Sequence, residues 1–281
     1  MKKKLLALAL AATLALSLVA CGKAPAAPAE PAAEPAAPTT ERTTFTIGFD
    51  AEYPPYGYMD ESGAYVGFDI DLAKEVCTRN GWEFKAQPLD WASKDMELNA
   101  GNIDCIWNGF TMTGREADYT FSAPYVDNSI VFVVKADSGI TVAADLAGKN
   151  VVTQSGSSAL TALTDAGENG SNDENLALAK SFAALEQTPD YNSAFMNLES
   201  GVVDAIAVDV GVANYQLESR KDLFTMLEKP LSTEQYGIGF KLGNEELRDA
   251  VQASLYEMLD DGTFAKIAET WGLSDMVCLS K

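Results

Sequence analysis

The chain has 281 residues, with 41 Asp and Glu against 20 Lys and Arg, a net charge of −21 and no histidine. Its pI near 4.2 speaks against nucleic acid as a partner, because a phosphate backbone is held by clustered positive charge. The absence of His removes Ser-His-Asp chemistry, imidazole acid–base work and His-ligated metals, and the four cysteines fit no zinc spacing. No cofactor and no metal are expected.

Met1-Lys2-Lys3-Lys4 is a basic start, and residues 5–19 form an apolar run too short for a good membrane span. The run ends in Leu18-Val19-Ala20-Cys21, which resembles the lipobox of bacterial lipoproteins. That resemblance implies a signal peptide over residues 1–20, cleavage before Cys21 and acylation of its thiol with chains of the palmitate type. Two or three such chains, at about 0.8 kcal/mol per buried CH₂, make a stable anchor. Residues 21–42, mostly Ala, Pro and Glu, read as a semi-extended tether.

Beyond the tether, β-branched apolar runs alternate with helical patterns. Strands are predicted at 45–49, 82–88, 104–108 and 129–135, with helices at 69–80 and 94–100 between them. The pattern then restarts with strands at 150–153, 181–183 and 205–209 and helices at 158–165, 190–200 and 211–218. A strand at 236–241 and helices at 245–259 and 263–271 complete the chain, and residues 167–174 read as a polar surface loop. Such alternation implies mostly parallel sheets with covered faces. Cys77 and Cys105 fall on apolar positions and read as small buried hydrophobes, with a pairing of one of them to Cys278 as the alternative.

Two stretches one hundred residues apart read alike. Met96-Glu-Leu98-Asn-Ala-Gly101-Asn-Ile103-Asp104-Cys-Ile106 is echoed by Met196-Asn-Leu198-Glu-Ser-Gly201-Val-Val203-Asp204-Ala-Ile206. Each is an amphipathic helix stopped by Gly and followed by an Asp that opens a buried strand. The echo suggests two similar lobes, although any α/β unit can turn with Gly-x-x-Asp. Ligands of open α/β sheets bind beyond the carboxyl ends of the strands, so the two ends are expected to face a common cleft.

Specific motifs sharpen this reading. Gly48-Phe-Asp50-Ala-Glu-Tyr53-Pro-Pro-Tyr56, Val66-Gly67-Phe68-Asp69-Ile70-Asp71-Leu72-Ala73 and Asp90-Trp91 are followed in order by Tyr119-Thr-Phe121-Ser122-Ala-Pro124-Tyr125, Gln154-Ser155-Gly156-Ser157-Ser158 and Tyr236-Gly237-Ile238-Gly239-Phe240. In this order they resemble solute-binding protein family 3, the binding components of polar amino-acid ABC importers. The resemblance covers residues 44–271. It implies the type II two-lobe periplasmic-binding-protein fold, a Venus flytrap with two crossing hinge strands. Lobe one would comprise residues 43–134 and 236–281, and lobe two residues 135–235. It also implies a monomer outside the cytoplasm, anchored to the membrane through Cys21, that hands a polar amino acid to the transmembrane subunits of an ABC permease and is no enzyme.

A buried zwitterion needs both charges paired. By resemblance, Arg115 clamps the α-carboxylate with its planar fork, helped by backbone N–H groups at Thr113 and Ser158. Asp209 accepts from the α-ammonium with the Gly109 carbonyl and the Thr111 hydroxyl. Asp50, Tyr53, Trp91, Phe110 and Gln154 surround the ligand's side chain, with Tyr53 and Trp91 as an aromatic sandwich. An aromatic pair closed by Asp50 suits a cation, so the reading leans to arginine, lysine or histidine, with glutamine, cystine or another polar amino acid as alternatives. A dehydratase on the same fold or a lone receptor sensor is the competing class. The family usually carries Thr-x-Thr-x-x-Arg, whereas Thr111-Met-Thr113-Gly114-Arg115 is one residue shorter; Gly114 can absorb the deletion.

The N-terminal reading is directly testable. Cys21→Ser is expected to release the protein from membranes into the soluble fraction or to block its processing. A Cys21→Ser protein that still needs detergent for extraction would contradict acylation.

Overall fold

The computed structural model describes residues 42–167 and 170–281. The segments expected as signal peptide and tether, Cys21 included, lie outside the described residues except for Arg42.

The first strand, β1 (Thr44–Phe49), leads into a three-stranded antiparallel hairpin sheet of β2 (Glu52–Tyr53), β3 (Gly57–Met59) and β4 (Tyr65–Val66). Helix α1 (Phe68–Asn80) follows and buries Phe68, Ile70, Leu72, Ala73 and Val76, its 3.6-residue face. The helix must begin where it does because Gly67 has φ 140° and a Cβ there would lie 2.2 Å from the Tyr56 carbonyl oxygen. Next come β5 (Glu83–Pro88), α2 (Lys94–Ala100), β6 (Cys105–Ile106) and β7 (Tyr119–Phe121).

The chain then enters a second sheet through the long β8 (Val126–Lys135), followed by β9 (Asn150–Gln154), α3 (Ser158–Thr164), α4 (Asp173–Ala179) and β10 (Ala184–Thr188). It continues through α5 (Tyr191–Ser200), β11 (Ala205–Asp209), α6 (Val210–Arg220), β12 (Phe224–Met226) and β13 (Ser232–Tyr236). Strand β14 (Gly239–Lys241) returns to the first sheet, and α7 (Glu245–Asp261) and α8 (Thr263–Thr270) pack on it. The first sheet runs β5-β1-β6-β14-β7, and the second β10-β9-β11-β8-β12 with β13 also on β8. The strands that open each sheet are parallel, β1 with β5 and β6, and β9 with β10 and β11. This is a two-lobe α/β architecture in which β8 and β13, paired antiparallel from Val126 to Ile130, flank the two crossings between sheets.

The sequence echo is an echo of structure. Gly101 and Gly201 end α2 and α5 with φ of 77° and 78°. Asp104 accepts from the Thr46 N–H at 2.7 Å while its own N–H donates to the Thr46 carbonyl at 2.8 Å. Asp204 makes the same pair with Asn150, both at 2.8 Å. In each lobe the aspartate thus locks its strand to the parallel strand beside it, β1 in the first sheet and β9 in the second.

Three sequence expectations shift. The strand expected at 181–183 lies at Ala184–Thr188, because the preceding helix runs to Ala179 and its last carbonyls still accept from Ser181 and Phe182. Residues 173–174, read as loop, open that helix: their carboxylates suit a helix N-terminus, and Leu178 and Ala179 pack on the second sheet's core. The strand expected at 236–241 is two strands, β13 and β14, one on each sheet, broken where Gly237 donates to the Phe110 carbonyl at 2.9 Å. Cys77 and Cys105 are buried free thiols, as read, and Cys278 is free as well.

Candidate binding site

Five strands end toward one cleft. Asp50 follows β1, Trp91 follows β5, and Gly109 lies three residues beyond β6, while Gln154 ends β9 and Asp209 ends β11. The carboxyl ends of both parallel sets therefore deliver polar side chains to the same place, the general ligand position of open α/β sheets. Tyr53, Trp91, Gly109, Thr111, Arg115, Gln154, Ser158 and Asp209 line one cavity, joined by Ser157. Ser157 was not singled out in the sequence; its hydroxyl caps α3 by accepting from the Leu160 N–H at 3.1 Å.

Gly109 occupies the centre of the first lobe's wall. Its φ is 55°, and a Cβ there would lie 2.9 Å from the Tyr236 ring and 3.0 Å from the Tyr53 ring. Its N–H donates to Asp69 at 2.6 Å, and Tyr125 donates its hydroxyl to the other oxygen of the same carboxylate at 2.9 Å. Asp69 belongs to the Gly67-Phe-Asp69 motif, yet it is fully buried away from the cavity. Burial pushes its carboxyl up to about 7.

Arg115 is half-buried. Its guanidinium sits 5.0 Å from the Phe110 ring centroid, and Nη1 donates to the Thr111 carbonyl at 3.1 Å. Phe110 is not on the cavity wall. It is the platform under Arg115, packed edge-on against Trp91 at 5.7 Å and among Tyr119 and Phe121. Thr113 is also set apart from the cavity. With one residue fewer before the arginine, the chain turns tightly, Arg115 N–H donating to Met112 at 2.9 Å and Gly114 at φ 78°. The Thr113 hydroxyl accepts from the Gln235 N–H at 3.1 Å and borders an outer groove.

Asp209 stands at the N-cap of α6, but its side chain makes no capping bond. Instead Oδ1 accepts from Tyr236 at 2.6 Å and from Asn128 at 2.8 Å. The Tyr53 and Tyr236 hydroxyls meet at 3.2 Å. Burial raises the Asp209 carboxyl above its ordinary range. Asp50 lies behind the cavity wall with both oxygens engaged, one by the Glu52 N–H at 2.8 Å and one by Gln154 at 2.6 Å across the cleft. Burial pushes its carboxyl up to about 6.

Two side chains with no sequence signal complete the region. Lys94 is buried, 5.1 Å over the Trp91 ring, and donates to the Trp91 carbonyl at 3.3 Å and, across the cleft, to the Gly156 carbonyl at 3.2 Å. Burial lowers its ammonium to about 8. Glu234, on β13, accepts from Thr111.

With this geometry in view, the comparisons with known proteins agree. The family model described as "Bacterial extracellular solute-binding proteins, family 3" matches residues 45–274, and the chain belongs to that family. The L-cystine-binding protein TcyJ of Escherichia coli (strain K12) is 27% identical over 239 residues, 84% of this chain and 85% of that one. The arginine-binding extracellular protein ArtP of Bacillus subtilis (strain 168) is 28% identical over 273 residues, covering 96% and 98%. An ABC uptake transporter substrate-binding protein from Streptococcus pneumoniae with bound histidine superposes with a TM-score of 0.74 at 32% identity, covering 81% of this chain and 92% of that one.

The buried acids make stability pH-dependent. Asp50 and Asp69 titrate near 6 and 7 in the folded chain, against about 4 when unfolded. Between those values the native state holds more protons than the unfolded one, so stability falls as pH rises. Their contribution is full below about pH 4 and lost as pH rises through 6 and 7; Lys94, lowered to about 8, acts only above this window. The protein is expected to melt at higher temperature near about pH 5.5 than near about pH 8, with the gap narrowed in Asp69→Asn. A melting temperature equal or higher at the alkaline pH contradicts the assignment.

Proposed function

We propose that this protein captures a polar α-amino acid between its lobes outside the cytoplasm and delivers it to the transmembrane subunits of an ABC importer. The observation that carries the reading is that a guanidinium, Arg115, and a buried carboxylate, Asp209, line the same small cavity with the aromatic residues Tyr53 and Trp91. That set matches the two charges of a zwitterion, which would be costly to bury unpaired. Arg115 holds the α-carboxylate with the Ser158 N–H. Asp209 takes the α-ammonium together with the Gly109 carbonyl and the Thr111 hydroxyl. Thr113 is left out, because it borders the outer groove and not this cavity.

For the side chain we favour a cation: arginine, lysine or histidine. Three carboxylates, Asp50, Asp209 and Glu234, gather around the cleft against Arg115 and Lys94, and two aromatic faces suit a flat or long cation. Asp50 meets such a cation by exchanging its bond to Gln154. The names of the relatives support this range, one a binder of arginine and one a structure holding histidine. Cystine is the second reading, favoured by Lys94, whose ammonium beside Trp91 could serve a second carboxylate, and by the likeness to TcyJ. Asp209 is bonded as an ammonium acceptor rather than positioned as a free acid or base, so no catalysis is assigned. The lobes divide as residues 43–134 with 236–281, and residues 135–235. The mature protein is a monomer held at the membrane by acylated Cys21.

Calorimetric titration with arginine, lysine, histidine, glutamine and cystine is expected to single out a cationic ligand. Arg115→Ala is expected to weaken that ligand by about 2–5 kcal/mol, the loss of a desolvated charge partner, with the fold intact by circular dichroism. A variant that binds within about threefold of the parent, less than 1 kcal/mol, contradicts the carboxylate role. Tightest binding of glutamine or cystine overturns the cationic choice and leaves the amino-acid reading standing.

A further inference from the structure

Strand β13 brings to this site a residue that no motif marks. Glu234 Oε1 accepts from the Thr111 hydroxyl at 2.7 Å, from Asn128 Nδ2 at 2.8 Å and from the Ser158 hydroxyl at 3.2 Å. The donors come from three places: the loop after β6 in the first lobe, β8 at the crossing, and the start of α3 in the second lobe. The same Asn128 nitrogen also donates to Asp209 at 2.8 Å, so the two carboxylates share one amide group. Oε1 accepts from both hydroxyls, so each directs its proton at Glu234. Thr111 and Ser158 line the cavity, and toward it they are left with lone pairs only.

We propose that Glu234 is a positioning residue for the ligand's ammonium group: it holds the hydroxyl protons of Thr111 and Ser158 out of the cavity and, paired with Asp209, makes this end a two-carboxylate site that releases a proton to solvent when an ammonium binds. The proposal rests on the amino-acid reading above. Two carboxylates this close do not both ionise easily without a cation. Burial and the charge of Asp209 push Glu234 up to about 7. The charged group opposing them is Arg115, which favours the ionised form of Glu234. The phenols of Tyr53, Tyr56, Tyr191 and Tyr236, also packed here, are raised far above neutrality and stay protonated. An arriving ammonium supplies the missing positive charge, so the pair gives up the proton it holds. By linkage, affinity rises with pH across this range.

The test is calorimetry of the protein with L-arginine, L-histidine and L-cystine in two buffers of different ionisation enthalpy. The parent protein is expected to release about half a proton on binding near about pH 7, and to bind about tenfold tighter near pH 8 than near pH 6. Glu234→Gln, which keeps the shape but can donate, is expected to lose both effects and to bind about tenfold weaker near pH 8. Glu234→Asp, which keeps the charge, is expected to retain proton release at reduced affinity. Parent affinity that is flat between these pH values, or proton release that persists in Glu234→Gln, overturns the proposal. If none of the three amino acids binds, the reading of the preceding section fails; the ¹³C titration of the Glu234 carboxyl in the ligand-free protein then decides. A midpoint near 7 supports the acid pair, and one below about 5, the ordinary range, overturns it.

Discussion

The cavity depends on one buried carboxylate that never reaches it. Asp69, in the first turn of α1, is shielded from solvent and accepts from the Gly109 N–H and the Tyr125 hydroxyl. It thereby fixes a left-handed residue at the end of β6 and the aromatic that precedes β8. With Gly109 pinned, the Tyr53 and Tyr236 rings can close on it from either side, near enough that a methyl group would not fit. Their hydroxyls then touch, and Tyr236 reaches Asp209. From Asp209 the bonds pass through Asn128 to Glu234. A single acid on the first lobe thus sets the geometry of the acids on the second. Leaving such a buried donor unpaired costs about 1–3 kcal/mol per group, and here several groups would fail together.

The same network explains why the site gathers more acid than base without flying apart. Each carboxylate is met by neutral donors: amides at Asp50, an amide and a phenol at Asp69, a phenol and an amide at Asp209, hydroxyls and an amide at Glu234. Neutral donors soften a buried charge but do not cancel it. The carboxyls are therefore held at raised pKa, ready to respond to a cation. Across the cleft the pattern is similar. Asp50 and Lys94 of the first lobe are met by the Gln154 amide and the Gly156 carbonyl of the second. Among the described residues these contacts across the cleft set dipoles against charged groups rather than pairing ions, so each buried charge keeps its desolvation cost until a charged partner arrives.

Much of this was legible in the sequence. The glycine-capped helices α1, α2 and α5 stood out because Gly81, Gly101 and Gly201 must adopt positive φ where apolar periodicity stops. The echo of residues 96–106 in 196–206 correctly implied two units turned the same way, down to the paired roles of Asp104 and Asp204. What escaped has a common cause. Strand β13 reads Ser-Thr-Glu-Gln-Tyr, with no apolar alternation, because only Tyr236 in it is fully buried. A polar strand at a sheet edge carries no period, so Glu234 was invisible. Lys94 carried no signal, since nothing local announces that Trp91 and the Gly156 turn will cover it. Thr113 was assigned as a backbone donor on the family's spacing, but it borders the outer groove rather than the cavity.

The lobes resemble each other in their scaffolds and differ in what they carry to the cleft. Both use the Gly-x-x-Asp turn to set a strand, but the residues beyond those strands diverge: Asn108-Gly109 in the first lobe, Val208-Asp209 in the second. The glycine brings the first lobe's backbone to the cavity, framed by aromatic rings, and the aspartate brings a carboxyl group from the second. A zwitterion with a long side chain is asymmetric in the same sense, needing a fork of donors at one end and acceptors at the other. Two copies of one scaffold supply a cleft with matching walls; the departure from symmetry at 109 and 209 sets a backbone group against a carboxyl group across it and so gives the cleft two unlike sides.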